Sequence, residues 1–408
     1  VCGLGAQQPD DGGGQQATPG HYTEWPQLRP LCPCWVKLDP GRRWVAAANP
    51  RGRMQVWQLT EDHALGQLLG DTQGAGFGVE QCEWAGDHLF YCGIEGIEDL
   101  EAFYGDPPRN IVEYMQEHTK LFAWDAETKR RQPVTTGYMT HTLLGSPSGD
   151  KLALFKYRGG LDLSAEVYSV PDFSLMHSFP LGLEAAYRNY VPCYWSDDER
   201  YVYALAETRA EPPQQPWQVL VRTGLDGSTQ SLSNATDVRL WGRGGMSVTR
   251  PTEVLGLGVL NLSPVEGRRF MACTLAPAGA GPGPFRLGFF DATGLVADYP
   301  LDAQWDFGPR ELRKGRAFMN TVTITPDGQR LILQELPSAG GTRDVWVWAW
   351  NYKTRDAQRL VQMPPIDTVF AWIGEEDLVV RAGPPEGEEY YVRTYGVLHV
   401  PPAEDEGE

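Results

Sequence analysis

The chain has 408 residues, 41% hydrophobic and 22% charged, with a net charge of −18. That composition is globular rather than disordered. So acidic a chain repels phosphate backbones, which excludes nucleic acid as a partner, and no window nears the ~18 apolar residues of a membrane-spanning helix. Its 46 Gly, 32 Pro, 14 Trp and 17 Tyr predict many turns between short, aromatic-rich strands.

The first residues, VCGLGAQQPDDGGGQQ, look like the end of an apolar export signal followed by a polar linker. Cys2 reads either as a lipid-anchored N-terminus or as a remnant of a signal cleaved near Gly5 or Ala6; Val1 is a poor residue before a lipoprotein cysteine. Residues 1–20 are therefore set apart as signal remnant or flexible linker. Export to the periplasm, the cell surface or the medium is the expectation, with a cytoplasmic protein as the alternative.

From Leu38 onward one pattern recurs: a strand, a Pro/Asp/Gly turn, and a second strand. It begins at Leu38 (LDPGRRWVAAA), Glu83, Gly145 (GSPSGDKLALFKY), Trp195, Leu262, Thr325 (TPDGQRLILQEL) and Trp372. Pro presets φ and Gly supplies positive φ, which is the chemistry of tight hairpins. A third, aromatic-rich strand follows each time, as in MQVWQL at Met54, KLFAWDAET at Lys120 and DVWVWAWNYKT at Asp344, and the last of these strands is expected at Tyr390. A fourth follows in stretches such as RQPVTTG, HSFPLG and AQRLV. Four antiparallel strands repeating every 45 to 65 residues predict an all-β fold, a single β-propeller over residues 21–400. The blades fall near 33–72, 75–138, 139–183, 184–232, 233–305, 306–363 and 364–400. Seven blades are expected; six or eight stay open because the turn is degenerate at Glu83 and Trp372.

Gly145 to Tyr157 and Thr325 to Leu336 resemble the WD40-like repeats of TolB-type β-propellers, whose second hairpin carries a Ser-Pro-Asp-Gly-type turn. Ala123-Trp124-Asp125 is similar to the Trp-Asp end of a WD repeat, in the second blade only. The resemblance extends over about residues 30–400. It implies the propeller and, by analogy, envelope proteins as partners; it implies no activity, because the fold hosts many. A ring of this kind can close with a strand from the other terminus. HYTEWPQLRP from His21 is one candidate, and completion from within by VLHV at Val397 is the other. Residues 401–408, PPAEDEGE, form an acidic, Pro-broken tail.

Motifs for chemistry are sparse. The seven His are scattered, with no HExxH pair. SDDER at Ser196 lacks the spaced ligands of a calcium loop, and GSPSG puts Pro147 where a nucleophile elbow needs serine. No catalytic residue, metal ligand or cofactor is assigned. Aligned at the start of each innermost strand, Glu80, His141, Asn189, Asn320 and Asp367 fall at one mouth of the central channel, where they could hold a small ligand, a peptide, or water alone. Trp346, Trp348 and Trp350 share one strand face, as a stacking platform or as packing between blades. Cys82 and Cys92 flank one tight turn; placed opposite each other they could form a disulfide, against the alternative of buried thiols.

The least repeat-like stretch is an insertion over 93–118, GIEGIEDLEAFYGDPPRNIVEYMQEH, with a short helix expected at Arg109 to His118. Its apolar residues Ile97, Leu100, Phe103, Tyr104, Ile111 and Met115 are candidates for a partner interface; a cover over its own blade edge is the bland alternative. The sequence thus favours a non-catalytic interaction or scaffold propeller, a subunit or accessory of a larger cell-envelope assembly binding one or more proteins. The alternatives are a lactonase- or esterase-like hydrolase at the channel mouth, using Glu80, His141 and Asp367, and a carbohydrate or small-ligand binder using the tryptophans.

Overall fold

The computed structural model describes residues 20–33, 35–49, 53–72, 82–94, 110, 114, 117–136, 140–157, 163–180, 187–196, 198–208, 218–231, 239–240, 260–265, 268–276, 285–291, 294–301, 319–335, 344–383 and 393–402. The chain is an all-β propeller whose described strands form seven antiparallel sheets. After β1 (His21–Glu24), the first sheet is β2 (Trp35–Leu38), β3 (Trp44–Ala48), β4 (Met54–Leu59) and β5 (Leu65–Thr72). The second is β6 (Cys82–Ala85), β7 (His88–Ile94), β8 (Thr119–Asp125) and β9 (Arg131–Thr136). The third is β10 (Thr140–Gly145), β11 (Lys151–Tyr157), β12 (Leu163–Ser169) and β13 (Leu175–Pro180); the fourth is β14 (Tyr187–Trp195), β15 (Tyr201–Thr208), β16 (Gln218–Gly224) and β17 (Thr229–Ser231). In the fifth, β18 (Arg239–Leu240) and β19 (Leu260–Val265) both pair with β20 (Arg268–Ala276), followed by β21 (Phe285–Asp291) and β22 (Gly294–Leu301). The sixth is β23 (Met319–Ile324), β24 (Arg330–Glu335), β25 (Val345–Asn351) and β26 (Ala357–Met363). The seventh holds β27 (Ile366–Ile373), β28 (Asp377–Ala382) and β29 (Thr394–His399), and its outer strand is β1.

Each predicted turn lies between the first and second strands of a sheet, and local chemistry explains why. In the Thr325 turn, Asp327 accepts from the Thr325 hydroxyl and from the Gln329 amide at 2.9 Å, while Gly328 takes φ 69°. In the Ser146 turn, Gly149 has φ 77°, and a Cβ there would meet the Gly86 nitrogen at 2.6 Å, so only glycine lets the neighbouring turn approach.

First strands of adjacent sheets lie side by side: β2 with β6, β6 with β10, β10 with β14, β19 with β23, β23 with β27, and β27 back to β2. These strands therefore line the channel. The apolar core sits between sheets. One cluster joins Met54 and Val56 of the first sheet to Trp84, Leu89 and Tyr91 of the second; another joins Ile332 and Val347 of the sixth to Leu378 and Val380 of the seventh. Side chains also bond across these junctions. Trp84 Nε1 donates to Lys37 O at 3.2 Å, and Trp195 Nε1, at the matching place two sheets on, donates to Leu144 O at 3.0 Å. Gln334 bridges the sixth and seventh sheets by donating to Ile366 O and accepting from Ile366 N, both at 2.8 Å.

Both sequence candidates for closure have a place, with different roles. VLHV is not a fourth strand: Val397, Leu398 and His399 belong to β29, the third strand of its sheet. The fourth is β1, whose His21 to Glu24 pair with His399 to Gly396. Antiparallel strands alternate in direction, so the first and third turns of each sheet share one face of the ring. The connections between second and third strands, including the insertion bracketed by the Ile94–Thr119 pair, leave from the other face. Within the insertion Tyr114, Glu117 and His118 are helical, and the Tyr114 amide bonds Asn110 O at 3.0 Å.

Candidate functional site

Of the five channel-mouth residues, Asp367 has a described side chain. It is the second residue of β27; His141, Asn189 and Asn320 likewise stand near the starts of β10, β14 and β23, with side chains outside the described set, and Glu80 lies outside the described residues altogether. Arg381 of β28 sends Nε to Asp367 Oδ1 at 2.6 Å, and Arg393, just before β29, sends Nε to Oδ2 at 2.9 Å. Both carboxylate oxygens thus accept charge-assisted bonds. The two arginines take one acceptor site on each oxygen and fix the orientation of the carboxylate. Between the inner strands β2 and β6, Lys37 Nζ bonds Glu83 Oε2 at 2.5 Å. Burial works to lower the Lys37 ammonium, but the charge and hydrogen bond of Glu83 outweigh it and raise it above the usual lysine value.

The disulfide reading is corrected. Cys82 is opposite Tyr91, one register away from Cys92, and neither cysteine is bridged. A one-residue offset on a strand reverses the side-chain direction. Cys82 therefore packs with Trp84 and Tyr91, toward the first sheet, and Cys92 packs with Phe90 and Leu121, toward the third. The tryptophan stripe is packing rather than a platform: Trp348 and Trp350 are buried, and the Arg359 guanidinium lies over Trp346 at 4.6 Å and Trp348 at 4.7 Å. The insertion candidates Ile97, Leu100, Phe103, Tyr104, Ile111 and Met115 lie outside the described residues. Exposed large apolar side chains are found on the rim, Leu68 on β5 and Leu175 and Met176 on β13. These outer strands belong to the sheets on either side of the one that carries the insertion.

A second polar site is one that sequence reasoning missed. Where the seventh sheet meets the first, a cavity of about 220 Å³ is lined by His21, His63, His399, Asp377, Glu61 and Asp62 among others. Asp377, at the start of β28, receives His63 Nδ1 on Oδ2 at 2.5 Å and His399 Nδ1 on Oδ1 at 2.9 Å. His21 stacks on His399 with ring centroids 4.9 Å apart. His21 and His399 are register partners of β1 and β29, and His63 stands in the turn between β4 and β5. Among the described residues, no group of three or more His, Cys, Asp or Glu stands in metal-holding geometry, and no helix is long and apolar enough to cross a membrane.

The fold and these sites define a β-propeller. Its solved structural likenesses include the β-propeller domain of the trilobed protease from Pyrococcus furiosus, described as having an open velcro topology. That match has a TM-score of 0.52 and 9% identity, and covers 94% of this chain and 96% of that one. Hydrazine synthase from Kuenenia stuttgartiensis matches at 0.44 and 11% identity over 81% and 83% of the two chains. An oligogalacturonate lyase in complex with manganese matches at 0.44 and 11% over 90% and 79%. At such identities the likeness is one of fold. No family model matches the chain, and no curated protein matches it.

Proposed function

We propose that this propeller is a non-catalytic interaction module, displaying loops to one or more protein partners as a subunit or accessory of a cell-envelope assembly. The observation that carries this is the state of Asp367. A hydrolase at the channel mouth would use that carboxylate as an acid, base or ligand; here it is held by Arg381 and Arg393, one on each oxygen, an arrangement that suits a structural ion-pair anchor between β27, β28 and the residue before β29. Two further features support the reading. Side chains bond sheet to sheet at Trp84, Trp195 and Gln334, which gives a rigid disc. The exposed rim residues Leu68, Leu175 and Met176 flank the sheet with the insertion, and apolar surface of that kind is where partners dock.

The test is affinity capture from envelope and soluble fractions, using the intact chain and a chain with residues 95–116 replaced by a short Gly/Ser turn. A stoichiometric partner held by the first and lost by the second is the expected result. No stoichiometric partner for either chain, together with metal-dependent hydrolysis of esters or lactones by the intact one, would overturn the proposal in favour of an enzyme.

A further inference from the structure

The cavity of about 220 Å³ between the seventh and first sheets is lined by three imidazoles, His21, His63 and His399, and three carboxylates, Glu61, Asp62 and Asp377. Separate pieces of chain supply them. His21 lies on β1, His399 on β29 and Asp377 at the start of β28, while Glu61, Asp62 and His63 form the turn between β4 and β5. The wall is held in place from outside the cavity: Trp25 Nε1 donates to His63 O at 2.9 Å. Asp377 fixes two of the rings, through His63 Nδ1 at 2.5 Å and His399 Nδ1 at 2.9 Å. An ionised carboxylate only accepts, so Nδ1 carries the proton on each ring, and in a neutral imidazole Nε2 is then left as an acceptor. His399 Nε2 stands 3.7 Å from Glu376 Oε2. Two acceptors therefore face one another there, and an N–H group reaching both would satisfy both.

The charge around this cavity is one-sided. No lysine or arginine is among the residues that line it. Of the cations nearby, Arg29 is paired with Glu24, Arg330 donates to Pro401 O, and Arg42 lies near Gly374 in the turn between β27 and β28. Residues 1–20 and 400–408 contain no lysine or arginine, so neither flanking segment brings a cationic side chain to the cavity. The walls thus combine fixed acceptors with negative charge, and a matching cation has to come from another molecule.

We infer that the cavity is a binding site for a guanidinium group, carried by a free small molecule or by an arginine side chain of a partner. A guanidinium is planar and permanently charged, and its five N–H donors form a rigid fork. The acceptors it would meet belong to separate groups: Nε2 of His63 and His399, and the carboxylates of Glu61, Asp62 and Glu376. Its bonds to the carboxylates are charge-assisted, and each carboxylate can take it two N–H groups at a time. A lysine-type ammonium is a compact, strongly hydrated charge with three donors and serves fewer of these acceptors. Asp377 is a positioning residue here, since it holds the two imidazoles with Nδ1 turned to itself.

The test is an NMR titration of the full chain with isotope-labelled histidine rings, at about pH 8, where imidazole is ordinarily neutral. Ring signals are assigned with the single variants His63→Gln and His399→Gln. The probes are n-butylguanidinium and the peptide acetyl-Gly-Arg-Gly-amide. Each should shift the His63 and His399 signals saturably, with a Kd on the order of 1 mM. The same peptide with citrulline for arginine, and tetramethylammonium, a cation without N–H, should bind at least about tenfold more weakly. The double variant Glu61→Gln, Glu376→Gln, at two partly exposed turn positions, should weaken both probes by about five- to tenfold. Glu127→Gln, in the turn between β8 and β9, should leave binding unchanged. Tighter binding of the peptide supports a partner's arginine as the source, and tighter binding of n-butylguanidinium supports a small molecule. Absence of a saturable shift with either probe overturns the inference, as does tetramethylammonium binding as tightly as the guanidinium or full affinity in the double variant. These outcomes are independent of capture through the insertion.

Discussion

At the residue scale the sheets are joined by a few side chains that do backbone work. Gln334 is the clearest. Its amide completes both the N–H and the C=O of Ile366 at a buried junction. Gln334→Met keeps the volume and leaves two backbone groups without partners, so it should destabilise by about 2–4 kcal/mol in denaturant melts. A surface glutamine would cost a few tenths. Glu199 joins the third and fourth sheets by pairing with Lys151 and accepting from Ser148 N at 2.7 Å. Burial acts to raise its carboxyl, but the Lys151 and Ser148 bonds prevail and hold it below the usual glutamate range. A depressed carboxyl stabilises above its unfolded value of about 4.3, and that contribution is lost as pH falls through the folded value. Glu199→Gln should therefore cost about 1–3 kcal/mol at pH 7, with the gap to the parent narrowing in melts as pH falls below the unfolded value of about 4.3. Neither residue announces itself in the sequence. Gln334 sits in an alternating strand like any polar residue, and its partner lies in the next sheet.

At the element scale the decisive contact is between β1 and β29. Gly396 pairs with Glu24, and a Cβ on it would stand 2.2 Å from Thr23 O. Gly396→Val should thus expel β1, seen as loss of exchange protection in His21 to Glu24 while peptides of the third sheet stay protected. The hairpin turns were legible because Pro, Asp and Gly have fixed backbone preferences that act locally. The strand from His21 does close the last blade, but the third strand, expected from Tyr390, begins at Thr394, and the difference has the converse cause. TYGVLH and the stretch before it are both aromatic and β-branched, so periodicity could not say that the third strand begins at Thr394, nor which segment lies outside it. The same limit applies to Cys82 and Cys92. Their closeness along the chain was plain, but the one-residue offset that turns them to opposite faces is a property of the pairing.

At the scale of the molecule, capture of a partner through the insertion is the prediction that decides between a module and an enzyme. The alignment of repeats placed Asp367 at the start of an inner strand, which is where it lies. That Arg381 and Arg393 hold it could not be read, because they come from β28 and from the residue before β29. His21, His63 and His399 were passed over as scattered residues. The one available signal was the HYTE segment considered as a closing strand, since its antiparallel register against VLHV sets His21 beside His399.

The pairing of Thr23 with Val397 spans 374 residues (397 − 23). During synthesis β1 therefore emerges before its partner by roughly 20–75 s, at about 5–20 residues per second. Until then six sheets can assemble in order while the first strand waits beside the ribosome. A nascent chain halted before Thr394 holds an unclosed ring with two raw sheet edges, the kind of surface that chaperones and proteases bind. Residues made hundreds of positions later thus decide whether β1 ever becomes structure.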